Sequence, residues 1–133
     1  MRTTTVDVRT DDRLVTDITM EVAAFVGPGG RDGLVNIFVA HATAGAAIVE
    51  TGSGSEADLA DAVSRLLPRD ERYTHRHGSA GHGGDHVLPV FVSPSLTVPV
   101  LGGVLQLGSW QSIVIVDPNR DNPERVVRLS FVP

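Results

Sequence analysis

The hydrophobic positions change period along the chain, and each change marks an element. Residues 3–9, TTTVDVR, are β-rich with partial alternation, which predicts an opening strand. After the DDR turn, Ile18, Val22, Phe25 and Val26 recur at i, i+4, i+7 and i+8, the apolar stripe of a short helix that Asp17 is placed to cap and GPGGRDG ends. LVNIFVA at 34–40 and AGAAIV at 44–49 read as extended segments. A second helix fits 55–67, SEADLADAVSRLL, with Leu59, Val63, Leu66 and Leu67 on one face, acidic residues in its first turns and Pro68 just beyond. The C-terminal half is β-rich: VLPVFV, SLTVPV, VLQLG, QSIVIVD and RVVRLSFV are short apolar runs separated by Pro and Gly. The pattern predicts a sandwich or barrel of strands with two helices laid against it.

Composition narrows the function classes. A chain of 133 residues is read as one domain over 1–133, its core dominated by Val, Leu and Ile because aromatic residues make up only 5%. The net charge of −5 provides no cationic footprint for a phosphate backbone, so no nucleic-acid partner is expected. Without cysteine there is neither a disulfide framework nor a thiolate metal site, which leaves imidazole and carboxylate as metal donors and suits a cytoplasmic protein. The opening MRTTTVDVRTDDR has no apolar h-region, and no run is long enough to span a bilayer, so neither an export signal nor a membrane partner is expected.

Candidate chemistry concentrates in HRHGSAGHGGDH, residues 75–86, which holds four of the five histidines. Imidazole is the commonest nitrogen donor to zinc and related ions, and the interspersed glycines allow the backbone to fold back so that neighbouring donors converge. The same segment reads equally as a solvated polar loop, because no standard zinc spacing is present. His41, in FVAHATAG, stands at a strand end from which a side chain can be aimed, or is satisfied there by a backbone group. Glu50 closes AAIVE as a metal ligand, a general base, an acceptor behind a histidine, or a solvated strand end; Asp85 shares that ambiguity. TGSGS at 51–55 precedes the second helix and offers a cap at Ser53 or Ser55, or a cradle for an anion. Arg69, Arg72, Arg76, Arg120 and Arg125 are available to phosphates.

The motifs resemble those of the YjbQ family, long catalogued as uncharacterised. HATAG at 41–45 is similar to the family's HTTAG, and SLTVPVLGGVLQLGSWQSI at 95–113 resembles its SLTIPxxxGxLxLGxWQGI without a gap. The resemblance covers nearly the whole chain. It implies an α+β fold, a jelly-roll-like β-sandwich with two helices packed against it, and assembly as a homotrimer with clefts between subunits. It also implies a divalent metal ion, zinc above all, and a secondary thiamine-phosphate synthase activity that joins a pyrimidine methyl diphosphate to a thiazole phosphate and releases pyrophosphate. By position, His41, His77 and His86 match the family histidines and are the implied metal ligands, Glu50 matches its glutamate as the implied base, and Trp110 and Gln111 match its WQ pair. His75 and His82 fall outside the match. The chain departs from the family where SAGHGG replaces an Asp- and Asn-containing element, Val49 replaces Asn, Ser112 stands where Gly is frequent, and Asp117 replaces Glu.

The leading expectation is therefore a metal-binding protein acting on a small anionic or phosphorylated metabolite, with the synthase reaction foremost. A histidine-metal hydrolase and a noncatalytic binder of a small ligand or metal are the alternatives.

Overall fold

The computed structural model describes all residues, 1–133. In chain order the elements are β1 (Arg2–Arg9), β2 (Val15–Asp17), α1 (Thr19–Val26), β3 (Gly33–Val39), β4 (Gly45–Val49), α2 (Ser55–Leu66), α3 (His82–Asp85), α4 (Leu88–Phe91), β5 (Ser95–Leu101), β6 (Val104–Leu105), β7 (Ser112–Val116) and β8 (Glu124–Val132). The strands form two antiparallel sheets, ordered β1-β8-β3-β5-β6 and β2-β7-β4. First, last and third strands lie side by side in one sheet and second, seventh and fourth in the other, the interleaving of a jelly roll. This is the α+β sandwich that the apolar pattern and the family motifs imply.

Alternation decides the faces. Val35, Ile37 and Val39 of β3, Val127, Leu129 and Phe131 of β8, and Val98 and Val100 of β5 point inward, against Ile113 and Ile115 of β7 and Ala46 of β4, and α1 adds Val22 and Val26. The alternate residues Leu34, Phe38, Leu101, Val126 and Val132 remain exposed on the outer face of the larger sheet.

β7 is buried on both faces, which is why SIVIV reads as an unbroken apolar run. Its outward residues Val114 and Val116 join Leu67 and Leu88 in a second cluster, flanked by Leu59 and Val63 of α2. Leu67 closes α2 and Leu88 opens α4, so this cluster fastens both ends of residues 68–87. Burying a leucine side chain stabilises by roughly 1.5–3 kcal/mol, enough to anchor a segment that contains little regular structure of its own.

Several local expectations are corrected. VLPVFV is not a strand: α4 forms there with Pro89 in its first turn, where a fixed φ and a missing N–H cost nothing. Only Leu88 of that turn is buried, while Val90 and Phe91 face solvent, so no sheet alternation exists to satisfy. Neither Ser53 nor Ser55 caps α2; the Glu56 carboxylate instead accepts the Gly52 N–H, at 2.9 and 3.0 Å from its two oxygens. Asp17 does serve the start of α1, accepting the Thr19 N–H at 2.9 Å, although Ile18 is the capping position.

Candidate metal centre

The chain between Pro68 and Val87 is folded by aromatic, glycine and arginine contacts rather than by periodic structure. The Tyr73 hydroxyl donates to the Pro68 carbonyl at 2.8 Å, and its ring lies directly against Gly83 and Gly84. A Cβ at Gly83 would stand 2.5 Å from Tyr73 Cβ, and one at Gly84 would stand 2.8 Å from Tyr73 Cζ, so only glycine permits this approach. Gly81, at φ +75°, turns the chain into α3 beside the Arg69 backbone. α3 was not expected from the sequence. It places His82 and His86 four residues apart on one face of a helical turn, while His75 and His77, two apart on the preceding segment, come over the same point.

One nitrogen from each of His75, His77, His82 and His86 lies within 4.8 Å of the others. The closest ring centroids are 4.1 Å apart for His75 and His77 and 4.3 Å for His75 and His86. Nε2 of His82 and Nε2 of His86 are separated by 3.0 Å. On the other side of its ring, His82 Nδ1 lies 3.0 Å from Asp85 Oδ2 and 3.4 Å from Asp121 Oδ2. Asp85 is buried, and its second oxygen accepts Arg69 Nη1 at 2.6 Å. Asp121 accepts the Ser79 N–H at 3.0 Å, and hydrogen bonding from Ser79 holds its carboxyl below the usual range. His82 is buried, His86 half-buried, and His75 and His77 are exposed. Burial lowers the His86 pKa below its ordinary value of 6.5, and charge on His75, His82 and His77 lowers it further. A polar pocket of about 140 Å³ opens on this group, lined by Asp70, Glu71, Tyr73, the segment His75–His77 and the turn 78–83.

The donor set fits a metal ion. His82 Nδ1 faces the Asp85 carboxylate, which can only accept, so a neutral His82 that donates there would turn its Nε2 lone pair to the cluster. Ligands at about 2.0–2.1 Å from a tetrahedral zinc ion stand about 3.4 Å from one another. The 3.0 Å between the two Nε2 atoms differs from that spacing by a few tenths of an ångström. A purely imidazole set selects zinc, copper or nickel over magnesium or calcium, which demand oxygen.

A sequence profile described as "UPF0047 protein YjbQ-like" matches residues 4–133. The chain belongs to the YjbQ family. The UPF0047 protein Rv2556c of Mycobacterium tuberculosis is 61% identical over 132 residues, covering 99% of this chain and 98% of the relative. The UPF0047 protein YjbQ of Salmonella typhimurium is 29% identical over 102 residues, 75% of this chain and 72% of the relative. Among solved structures, a hypothetical protein from Aeropyrum pernix K1 superposes with a TM-score of 0.88 at 30% identity, covering 99% of this chain and 98% of that one. A YbjQ-like protein of unknown function from Sulfolobus solfataricus P2 does so at 0.87 and 25%, covering 98% and 95%. None of these names states a reaction.

Within this YjbQ-family chain, two of the three histidines matched by motif, His77 and His86, lie in the cluster. Within this chain His41 lies apart from them. It follows β3, and its Nε2 accepts the Val126 N–H at 3.0 Å on the neighbouring strand. Burial lowers its pKa below 6.5, the Arg125 charge lowers it further, and Asp117 partly opposes both. Those two residues form a fully buried ion pair between Arg125 Nε and Asp117 Oδ2, with Thr43 Oγ1 donating to the other carboxylate oxygen at 3.0 Å. Glu50 is exposed at the end of β4, in a groove with Val49, Ser55, Glu56 and Asp58, and is not among the residues around the histidines. The cluster's other members, His75 and His82, are those that fell outside the motif match. The spacing H-x-x-D-H at 82–86 is the signal that recognising a helical turn would have exposed, since it sets two imidazoles and a carboxylate on adjoining faces.

Among the arginines, Arg69 is committed to Asp85, Arg72 to Asp70 and Arg125 to Asp117. Arg76 lines the histidine pocket, and Arg120 borders a separate cavity of about 110 Å³ beside Arg69 and Asp117. No helix is long and apolar enough to cross a membrane.

Proposed function

We propose that this YjbQ-family protein holds a divalent metal ion, zinc before others, on His75, His77, His82 and His86, and that it acts on a small phosphorylated metabolite. The observation that carries the reading is the convergence of four imidazole nitrogens within 4.8 Å. Bound there, the ion supplies Lewis acidity toward a phosphate or diphosphate oxygen. Arg76, held at the pocket wall by its bonds to the Tyr73 and Glu71 carbonyls, adds positive charge near the histidines, and the polar lining, which also includes Asp70 and Glu71, suits a charged ligand better than an apolar one. Glu50, remote from this pocket, is not assigned the role of base in it.

The family's implied chemistry, joining a pyrimidine methyl diphosphate to a thiazole phosphate, is the first reaction to assay; hydrolysis of a phosphoester is the next. One feature favours a noncatalytic reading instead: four imidazoles would supply every ligand of a four-coordinate ion, and closed shells are typical of metal-holding rather than catalytic sites. Metal analysis of the purified protein, followed by pyrophosphate release with the two precursors and then phosphate release from a phosphoester panel, separates the three. Stoichiometric metal without turnover supports the binder; no metal after zinc loading overturns the whole proposal.

We propose further that the protein is a homotrimer. Exposed Leu34, Phe38, Leu101, Val126 and Val132 on one sheet face support it, because such a face is more stable covered. Sedimentation should give a trimer that Phe38→Glu dissociates; a monomeric parent protein would refute this.

A further inference from the structure

The four histidines are not equivalent, and the difference lies behind His82. Resting on the metal-site reading above, we infer that Asp85 is a positioning residue that fixes the His82 tautomer, and that Arg69 sets the orientation of Asp85. The two oxygens of this buried carboxylate have separate duties. Oδ1 accepts from Arg69 Nη1 at 2.6 Å and Oδ2 accepts from His82 Nδ1 at 3.0 Å. Arg69 is itself held at three points, since Nη1 also donates to the Pro118 carbonyl at 3.2 Å and Nη2 to Ser79 Oγ at 2.9 Å. The carboxylate therefore has little freedom to turn.

The consequence for His82 follows from counting donors and acceptors. A carboxylate at Nδ1 requires the proton on Nδ1 and leaves the lone pair on Nε2, the atom 3.0 Å from His86 Nε2. Without an ion, the His86 proton fills that gap as an Nε2–H donor. Asp121 also approaches His82 Nδ1, but at 3.4 Å; it is partly exposed and already accepts the Ser79 N–H. It is the weaker of the two acceptors.

Asp85→Asn tests this arrangement because an amide has one oxygen where the carboxylate has two. Arg69 can only donate, so it draws that oxygen and leaves the amide NH₂ facing His82 Nδ1. The imidazole must then accept at Nδ1 and carry its proton on Nε2, the nitrogen that should hold the metal. In ¹⁵N spectra of the metal-free protein at neutral pH, His82 should be the Nδ1–H tautomer in the parent chain and the Nε2–H tautomer in Asp85→Asn. Zinc affinity, read by chelator competition, should fall roughly 10- to 100-fold. Asp121→Asn should change neither by more than a few-fold. Adding Arg69→Met to Asp85→Asn frees the amide to present its oxygen to His82, and the Nδ1–H tautomer should return, which a merely structural role for Asp85 would not produce.

The Nε2–H tautomer in the unmodified chain, or an Asp85→Asn protein with unchanged tautomer and affinity, overturns the inference. A parent chain that binds no zinc but keeps the Nδ1–H tautomer overturns the metal reading alone and leaves the positioning role of Asp85 intact.

Discussion

Nε2 of His82 and Nε2 of His86 face each other across 3.0 Å. Two imidazole lone pairs cannot share that gap without a proton or a cation between them, so the pair is preset to exchange one for the other. The cluster around it uses none of the residues near His41.

Ligand removal should therefore separate the histidines. His82→Ala and His86→Ala are expected to lower zinc affinity at least as far as the loss of an outer hydrogen-bond partner does, roughly 10- to 100-fold, while His41→Ala keeps full metal content. Chelator competition on the three variants checks this. A His41→Ala protein that loses its metal while His86→Ala retains it would restore the motif-based ligand set.

Zinc retention should decline as pH falls through the imidazole range, because a protonated ring cannot ligate. Burial and the surrounding imidazoles hold the His86 pKa below 6.5, so it remains neutral further into acid than an ordinary histidine. Metal content measured after equilibration across that range, and unchanged well below it, would exclude histidine ligation.

His41 should make the fold itself sensitive to acid. Its folded pKa is lowered while the unfolded chain titrates near 6.5, so below that value the unfolded state binds a proton that the folded state refuses. The stability that neutral His41 contributes is complete above 6.5 and is lost progressively as pH falls toward the lowered value. His41→Gln, which still accepts the Val126 N–H but does not titrate, should show a shallower loss of melting temperature over this window. A pH profile identical to that of the parent would contradict this role.

Breaking the Asp117–Arg125 pair should be costly, because both side chains are fully buried. Asp117→Ala strands a guanidinium without a counter-charge and is expected to destabilise by about 3–5 kcal/mol. Thr43→Val removes only one neutral donor to the same carboxylate and should cost about 0.5–1.5 kcal/mol. Urea unfolding of the two variants gives the comparison; equal effects would mean that the ion pair contributes no more than the hydroxyl.

The strands and long helices were legible because their physics is local and repeats. RVVRLSFV alternates and becomes β8; SIVIV is continuous and becomes β7, packed on both faces; the Leu59 and Val63 stripe places α2 on the second cluster. VLPVFV reads as a strand but forms a helical turn, because six apolar residues without alternation fit either, and the choice falls to a single buried side chain, Leu88. Motif matching names His77 and His86, which the fold brings close together, but it carries no signal that His41 turns to Val126, 85 residues further along the chain.

By itself, the sequence determined the family, the sandwich, the absence of thiolate chemistry and the segment in which imidazoles accumulate, since each depends on residue type and spacing along the chain. Only the tertiary structure decided which histidines meet and which nitrogen of His82 points inward. Those outcomes rest on Tyr73 packing against two glycines and on Arg69 closing over Asp85, 16 residues away. Contacts of that kind have no period, so no pattern along the chain announces them.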